Sequence, residues 1–174
     1  MVCVEGVTIG FVLSAKSSMV VGVRAIIIRE GRLVCVEHVS NASRCLSLPG
    51  GGVLHGESLA ECVVREVLEE TGMVVEPHDF VAVRELAYNG SPALEFIVRC
   101  SEGDREPVLG VDPELPLGAQ ELIDVFLLSK SELMMAPTFE PRELVDIVVR
   151  EYEKPLRPSS CSGGGLFTTS PARR

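Results

Sequence analysis

The sequence predicts an α+β domain, sandwich-like (α/β/α), in which a mixed β-sheet lies between helices. Short runs rich in Val and Ile, separated by turn signals, indicate strands. A segment in the middle of the chain has the start and stop signals of a helix, and a second helical period occurs near the C-terminal end. Because strands occur before and between these segments, in the order strands, helix, strands, helix, a helix is expected on each face of the sheet.

Composition limits the class of protein. The 174 residues are 46% hydrophobic, which is sufficient for one domain with a buried core. The apolar runs are too short to cross a membrane, and the N-terminal residues lack the basic start of a signal peptide. A net charge of −9 argues against binding nucleic acid through its phosphates. Six scattered cysteines without a C-x-x-C pair are typical of reduced thiols in a cytoplasmic protein.

The first half of the chain contains several strand candidates. Residues 1–18 are interpreted as an N-terminal extension or an edge strand, two alternatives that the sequence leaves open. Further on, the pattern predicts a buried strand over Val20–Arg29, a turn at Glu30-Gly31 and a second strand over Arg32–His38. A polar loop is predicted over Val39–Arg44, and a short strand over Leu46–Leu48. A proline and three glycines follow this last strand.

The second half of the chain continues the α+β pattern. The pattern predicts two strands over Phe80–Tyr88 and Leu94–Cys100, a long surface loop over Ser101–Gln120 and another strand over Leu122–Leu128. A helical turn is predicted over Ser131–Met135, and a helix over Pro141–Glu153. The loop is a functional candidate because structureless loops of that length often carry function. The domain is therefore predicted to span residues 19–153, and residues 154–174 have the composition of a disordered tail.

The central helix has clear local signals. Ser58 followed three residues later by Glu61 forms a capping-box pattern, which starts a helix. Gly72 is a residue that stops one, because glycine readily adopts the left-handed conformation after the last helical turn. These signals predict a helix over Leu59–Thr71.

Three carboxylates share one side of this helix. At about 100° per residue, Glu66, Glu69 and Glu70 fall within an arc of about 100°. Like charges so placed repel one another unless a cation lies among them. Mg²⁺ is commonly held by a few carboxylates together with substrate phosphates. A solvated acidic helix face would have the same spacing, so both readings stay open at this point.

The same segment resembles the Nudix box. Nine defined positions match in Gly51, in Glu57 and in the run Arg65-Glu66-Val67-Leu68-Glu69-Glu70-Thr71-Gly72-Met73, and the resemblance extends over about residues 19–153. It implies a Nudix fold, with a mixed sheet flanked by the Nudix helix and a C-terminal helix. The implied activity is Mg²⁺- or Mn²⁺-dependent hydrolysis of the pyrophosphate bond of a nucleoside diphosphate linked to another group, by attack of water.

The resemblance also implies residue roles. Glu69 and Glu70 would be the principal metal ligands, and Glu66 would be a further ligand or would orient the attacking water. The Gly51 carbonyl would face the metal. Glu57 and Arg65 would hold the loop against the helix.

Residues outside the box carry weaker signals. Nudix enzymes often use a carboxylate from a later loop as base or ligand, and Glu121 is the best candidate here, ahead of Glu114 and Asp112. Three residues are candidate substrate contacts, although each also has a plain structural reading: Arg44, Tyr88 and Phe139. Because the chain has no tryptophan, base stacking would use Phe or Tyr.

The substrate class stays open among nucleoside triphosphates, dinucleoside polyphosphates, ADP-ribose and nucleotide sugars. The alternative to an active enzyme is a weak or inactive nucleotide-binding or regulatory module that keeps the fold. Dimers are common in this fold, so a homodimer is a further option.

Overall fold

The computed structural model describes residues 2–4, 7–9, 19–40, 43–88, 90–111, 116 and 120–155. Its strands are, in chain order, β1 Val2–Val4, β2 Val7–Ile9, β3 Val20–Ile26, β4 Ile28–Arg29, β5 Arg32–Ser40, β6 Ser43–Ser47, β7 Pro77–Tyr88, β8 Ser91–Cys100 and β9 Leu122–Leu128. Its helices are α1 Leu59–Thr71, α2 Lys130–Met135 and α3 Leu144–Glu151. The predicted tail from residue 156 onward, and the candidates Asp112 and Glu114, lie outside the described residues.

The strands form a mixed arrangement. β3 pairs in parallel with β8, and β8 pairs antiparallel with β7. In a second group β5 is central and pairs antiparallel with β4, β6 and β9. β1 pairs antiparallel with β2, so the N-terminal strands form a hairpin. The chain passes directly from β3 into β4 at Ile27, which joins the two groups.

Two apolar clusters lie on opposite sides of the strands. Alternate residues of β3 point to opposite faces, so Val23 and Ala25 pack with α1, and Ile26 packs with α2 and α3. The α1 side of the core is built around Cys62, Val63 and Val67. This layered arrangement confirms the predicted α+β class with helices on both faces. Among the described residues, no helix is long and apolar enough to cross a bilayer.

Several predicted boundaries were wrong. β7 begins at Pro77 rather than at Phe80, and β8 begins at Ser91 rather than at Leu94. Residues 39–44 were expected to form a loop, but β5 continues to Ser40 and β6 begins at Ser43, with Val39 paired to Arg44. Cross-strand hydrogen bonds therefore override the polar composition of this stretch. The last helix begins at Leu144 rather than at residue 141, because the preceding residues form a turn in which the Leu144 N–H donates to the Pro141 carbonyl at 3.0 Å.

Candidate active site

Helix α1 begins and ends where its local signals predict. The Ser58 hydroxyl accepts from the Glu61 N–H at 3.2 Å, and the Glu61 carboxylate accepts from the Ser58 N–H at 2.9 Å. Gly72 has φ 66°, and its N–H donates to the Leu68 carbonyl at 2.9 Å. The helix is therefore fixed at both ends by residues within or next to it.

The turn that contains Gly50, Gly51 and Gly52 precedes α1, and we call it the glycine turn. It runs along the edge of β3 that does not pair with β8. The Val23 N–H donates to the Gly51 carbonyl at 2.9 Å, and the Ala25 N–H donates to the Pro49 carbonyl at 2.8 Å. Gly50 has φ 144°, and a Cβ atom there would lie 2.1 Å from the Val23 carbonyl oxygen. Only glycine allows the turn to approach the strand this closely.

Arg65 is the centre of a hydrogen-bond network that joins the turn to the helix. Its Nε and Nη2 donate to the two carboxylate oxygens of Glu57 at 2.7 and 2.9 Å. Its Nη1 donates to Glu66 at 2.9 Å and to Glu69 at 3.1 Å, and Nη2 donates to the Gly52 carbonyl at 3.0 Å. One guanidinium therefore holds the loop acid, the glycine turn and two of the helix carboxylates.

The carboxylates of this network have different electrostatic environments. Hydrogen bonds from Arg65 lower the pKa of Glu57 to about 2. The pKa of Glu66 is instead raised, chiefly because the carboxyl is removed from water, and the neighbouring Glu69 adds to this. The ionised form of Glu66 is therefore disfavoured, and additional positive charge nearby would stabilise it.

The helix carboxylates lie directly against the glycine turn. A Cβ atom on Gly51 would be 2.5 Å from a carboxylate oxygen of Glu66, so the absence of a side chain is what admits this acid. The Gly50 N–H donates to Glu70 at 2.8 Å. Glu66 and Glu70 thus contact the same turn from one side, as their shared arc on the helix predicts.

These side chains suit a hard divalent cation. The donors are carboxylate oxygens next to backbone carbonyls, the ligand type that Mg²⁺ and Mn²⁺ prefer. In the part of the chain that the structure describes, no three His, Cys, Asp or Glu side chains already form a cation cage. Arg65 occupies Glu66 and Glu69, and the turn occupies Glu70, so ligation would require these oxygens to exchange or share their present donors.

The Gly51 carbonyl was expected to face the metal. In this structure the carbonyl accepts the Val23 N–H and so points toward β3. A carbonyl oxygen has two lone pairs, so a cation would share this oxygen with the strand.

A cavity of about 280 Å³ opens beside the turn. Its wall includes Gly51 and Gly52, which also contact the carboxylate network. The remaining lining residues come from β3, β7 and β8, and are Val20, Gly22, Arg24, Leu86, Tyr88, Ala93, Leu94 and Glu95. The cavity is therefore adjacent to the carboxylates and mixes apolar, aromatic and charged groups.

Two charged residues of this wall, Arg24 and Glu95, were not predicted from the sequence. Arg24 donates to Glu95 at 3.0 Å and to the Gly50 carbonyl at 2.9 Å, and Arg84 donates to the other oxygen of Glu95 at 2.8 Å. Glu95 is thus a buried acid held between two guanidinium groups. The signal was present in the sequence, because a charge inside an apolar strand requires a partner.

The predicted substrate contacts are scattered. Tyr88 lines the cavity, and 57% of its surface is exposed to solvent, so its side chain is available to a ligand. Arg44 lies on β6 and pairs with Glu37 at 3.1 Å, away from the described cavity wall. Phe139 is 0% exposed and packs in the core with Leu48, which corrects the expectation that it contacts substrate.

Glu121 precedes β9 and is exposed. Its carbonyl accepts the Val39 N–H at 2.8 Å, so the backbone at this position belongs to the edge of the β5–β9 pair. The role of its carboxylate as base or ligand stays a prediction.

Fold and site together define an α+β domain whose glycine turn and carboxylate-bearing helix adjoin a cavity. The sequence profile of the NUDIX domain matches residues 19–146, well over half of the chain, and the chain belongs to this family.

Two individual relatives match less than half of this chain. Phosphatase NudJ of Escherichia coli strain K12 is 31% identical over 78 residues, which cover 44% of this chain and 51% of NudJ. The NAD-capped RNA hydrolase NudC of Vibrio cholerae is 29% identical over 79 residues, which cover 45% of this chain and 29% of NudC. The alignment thus spans about half or less of these relatives.

A solved structure agrees with the fold. The crystal structure of the MutT protein from Methanosarcina mazei Go1 superposes with a TM-score of 0.65 at 24% identity, covering 81% of this chain and 100% of that chain. The predicted Nudix family and fold are therefore confirmed.

Proposed function

We propose that this chain is a metal-dependent pyrophosphohydrolase that cleaves a nucleoside diphosphate linked to another group by attack of water. The observation that carries the proposal is the double role of Gly51, which lines the cavity and contacts the Glu66 carboxylate. A nucleoside in the cavity would have its diphosphate beside the helix carboxylates. Family membership supports the same reaction class.

Six residues of the Nudix box have roles in the proposed metal site or in its support. Glu69 and Glu70 are the principal ligands of Mg²⁺ or Mn²⁺, Glu66 is a further ligand or orients the water, and the Gly51 carbonyl supplies another oxygen. The cation would neutralise the diphosphate and lower the pKa of a bound water. Arg65 and Glu57 hold the glycine turn in register with the helix.

The cavity wall supplies the substrate contacts. Arg24 presents positive charge next to the turn, where the anionic part of the substrate would lie. Tyr88 offers an aromatic face on which a base can stack. Arg44 is retained as a contact only for a substrate group that extends beyond the cavity.

Glu121 is proposed as the base that takes a proton from the attacking water. Glu121→Gln should lower kcat at saturating substrate and metal, because the amide cannot accept that proton. If the variant keeps the kcat of the unmutated protein, Glu121 has no such role.

The central test is Glu70→Gln. The variant should lose most Mg²⁺-dependent turnover and keep its fold, since the amide removes one ligand charge while its oxygen still accepts from the Gly50 N–H. Glu61→Gln is the matched control on the same helix, because glutamine also completes a capping box. Turnover of Glu70→Gln equal to that of the control would contradict the metal assignment.

A substrate panel separates the enzyme from the binding module. Nucleoside triphosphates, dinucleoside polyphosphates, ADP-ribose and nucleotide sugars are each incubated with Mg²⁺ or Mn²⁺, and phosphate or nucleotide release is measured. Turnover of any of them supports the hydrolase. Tight binding without turnover of any of them would identify a nucleotide-binding module instead. A cytoplasmic location and a homodimer stay predictions.

A further inference from the structure

Helix α1 ends beneath a segment of the long loop that follows β8. We call residues 106–111 the capping segment. The N–H groups of Val108, Gly110 and Val111 donate to helix carbonyls at 2.9, 3.0 and 3.1 Å. The accepting carbonyls belong, in the same order, to Thr71, Glu70 and Glu69. The segment therefore binds the backbone of two residues proposed as metal ligands.

These bonds complete the hydrogen bonding of the helix end. The last four carbonyls of an α-helix have no partner within the helix. Here the Gly72 N–H donates to the Leu68 carbonyl, and N–H groups of the capping segment donate to the other three carbonyls. These carbonyls are usually satisfied by solvent or by a local turn, but here their partners lie 37 to 42 residues away in the chain.

Gly110 makes this approach possible. A Cβ atom there would lie 1.7 Å from the Glu69 carbonyl oxygen and 2.9 Å from the Glu70 carbonyl carbon. Backbone atoms cannot move aside as a flexible side chain can, so any other residue must push the segment off the helix. Arg29 anchors the start of the segment through an ion pair with Glu106 at 2.9 Å.

The contact also has an electrostatic consequence. The C-terminal end of a helix carries a partial negative charge, which disfavours carboxylates in the last turn. Glu69 and Glu70 lie in that turn, and a diphosphate substrate would add more negative charge. Three N–H dipoles directed at the carbonyls of this turn offset part of that repulsion.

We propose that the capping segment is a positioning element of the metal site and that Gly110 is its key residue. By holding the carbonyls of Glu69 and Glu70, it fixes the backbone from which both proposed ligands extend. The inference rests on the proposed metal-dependent function. Gly110 itself contacts neither metal nor substrate in this proposal.

The test compares Gly110→Ala with Leu109→Ala. Leu109 is 48% exposed, and truncating its side chain leaves all three backbone donors in place. Calorimetric titration with Mg²⁺ should show binding about tenfold weaker for Gly110→Ala and unchanged for Leu109→Ala, as for other groups that orient metal ligands. Excess Mg²⁺ should restore kcat of Gly110→Ala. Equal Mg²⁺ affinity of the two variants would overturn the proposal.

A measurement on the unmutated protein covers the case in which Gly110→Ala does not fold. Mg²⁺ should slow amide hydrogen exchange at Val108, Gly110 and Val111 more than at Val148, a buried residue of α3 on the other side of the sheet. Equal slowing at all four amides would overturn the inference.

The two proposals fail differently. Mg²⁺ binding with the predicted dependence on Gly110 but without turnover would remove the hydrolase and keep the positioning role. Turnover with the same Mg²⁺ requirement in Gly110→Ala as in the unmutated protein would keep the hydrolase and remove the positioning role. A protein that binds no Mg²⁺ at all would contradict both.

Discussion

Arg65 and Glu57 form a two-point contact in which both guanidinium edge nitrogens donate to the two carboxylate oxygens at 2.7 and 2.9 Å. Such paired, charge-assisted bonds fix geometry more strictly than a single ion pair. Both side chains are largely buried. The contact therefore joins the loop before α1 to the body of the helix.

Glu57→Gln should lower the free energy of unfolding by about 1.5–3 kcal/mol at neutral pH, because a hydrogen-bonded charge is lost. The folded pKa of about 2 lies below the ordinary 4.5, so this stabilisation is present above pH 4.5 and is lost as pH falls toward 2. Urea unfolding across this pH range measures the difference between variant and unmutated protein.

The control for Glu57 is Glu106→Gln, which removes an exposed partner of Arg29. An exposed pair contributes about 0–1 kcal/mol. If Glu57→Gln destabilises no more than Glu106→Gln, the two-point contact does not hold the loop.

Glu66→Gln should separate stability from metal binding. Burial raises the folded pKa of Glu66, so as pH rises above the ordinary 4.5 the unfolded chain ionises first and the metal-free protein loses stability until the folded pKa is passed. The glutamine variant avoids this loss. Its melting temperature without divalent cations should therefore fall less over that pH range.

Added Mg²⁺ should raise the melting temperature of the unmutated protein and of Glu61→Gln, but raise that of Glu66→Gln less. Equal Mg²⁺ stabilisation of all three proteins would show that Glu66 is not near the cation.

Gly50→Ala should destabilise the fold by at least about 2 kcal/mol, because Gly50 has φ 144° and a Cβ atom would meet the Val23 carbonyl at 2.1 Å. Gly52→Ala is the control, since a Cβ atom there has no neighbour within 4 Å, and it should change stability by less than about 1 kcal/mol. Denaturant unfolding of both variants checks the difference. Similar stabilities would mean that the turn can move away from β3.

Tyr88→Ala should raise KM for nucleotide substrates at least about fivefold, because stacking of one base on an aromatic ring contributes about 1–3 kcal/mol. Turnover at saturating substrate should be retained, since Tyr88 lines the cavity rather than the carboxylate network. Val83→Ala, on the same strand and 55% exposed, should leave KM unchanged. Steady-state kinetics at fixed Mg²⁺ measures KM for both variants. An unchanged KM for Tyr88→Ala would show that the base does not stack on Tyr88.

Much of the fold was predictable from local pattern. Helix α1 and strand β9 have the predicted limits, because caps, turns and apolar periods act over neighbouring residues. The stretch 39–44 was mistaken for a loop because its pairing depends on a partner strand rather than on its own composition. Phe139 was mistaken for a substrate contact because an aromatic residue near a predicted helix gives no sign of which layer it enters.

The sequence by itself determined the family, the limits of α1 and the placement of Glu66, Glu69 and Glu70 on one arc, because all of these follow from spacing along one helix. Only the tertiary structure decided what surrounds them. Arg24 meets Glu95 from 71 positions away, and the capping segment reaches the end of α1 from another loop. Such partners are chosen by sheet pairing and core packing, which no local spacing encodes.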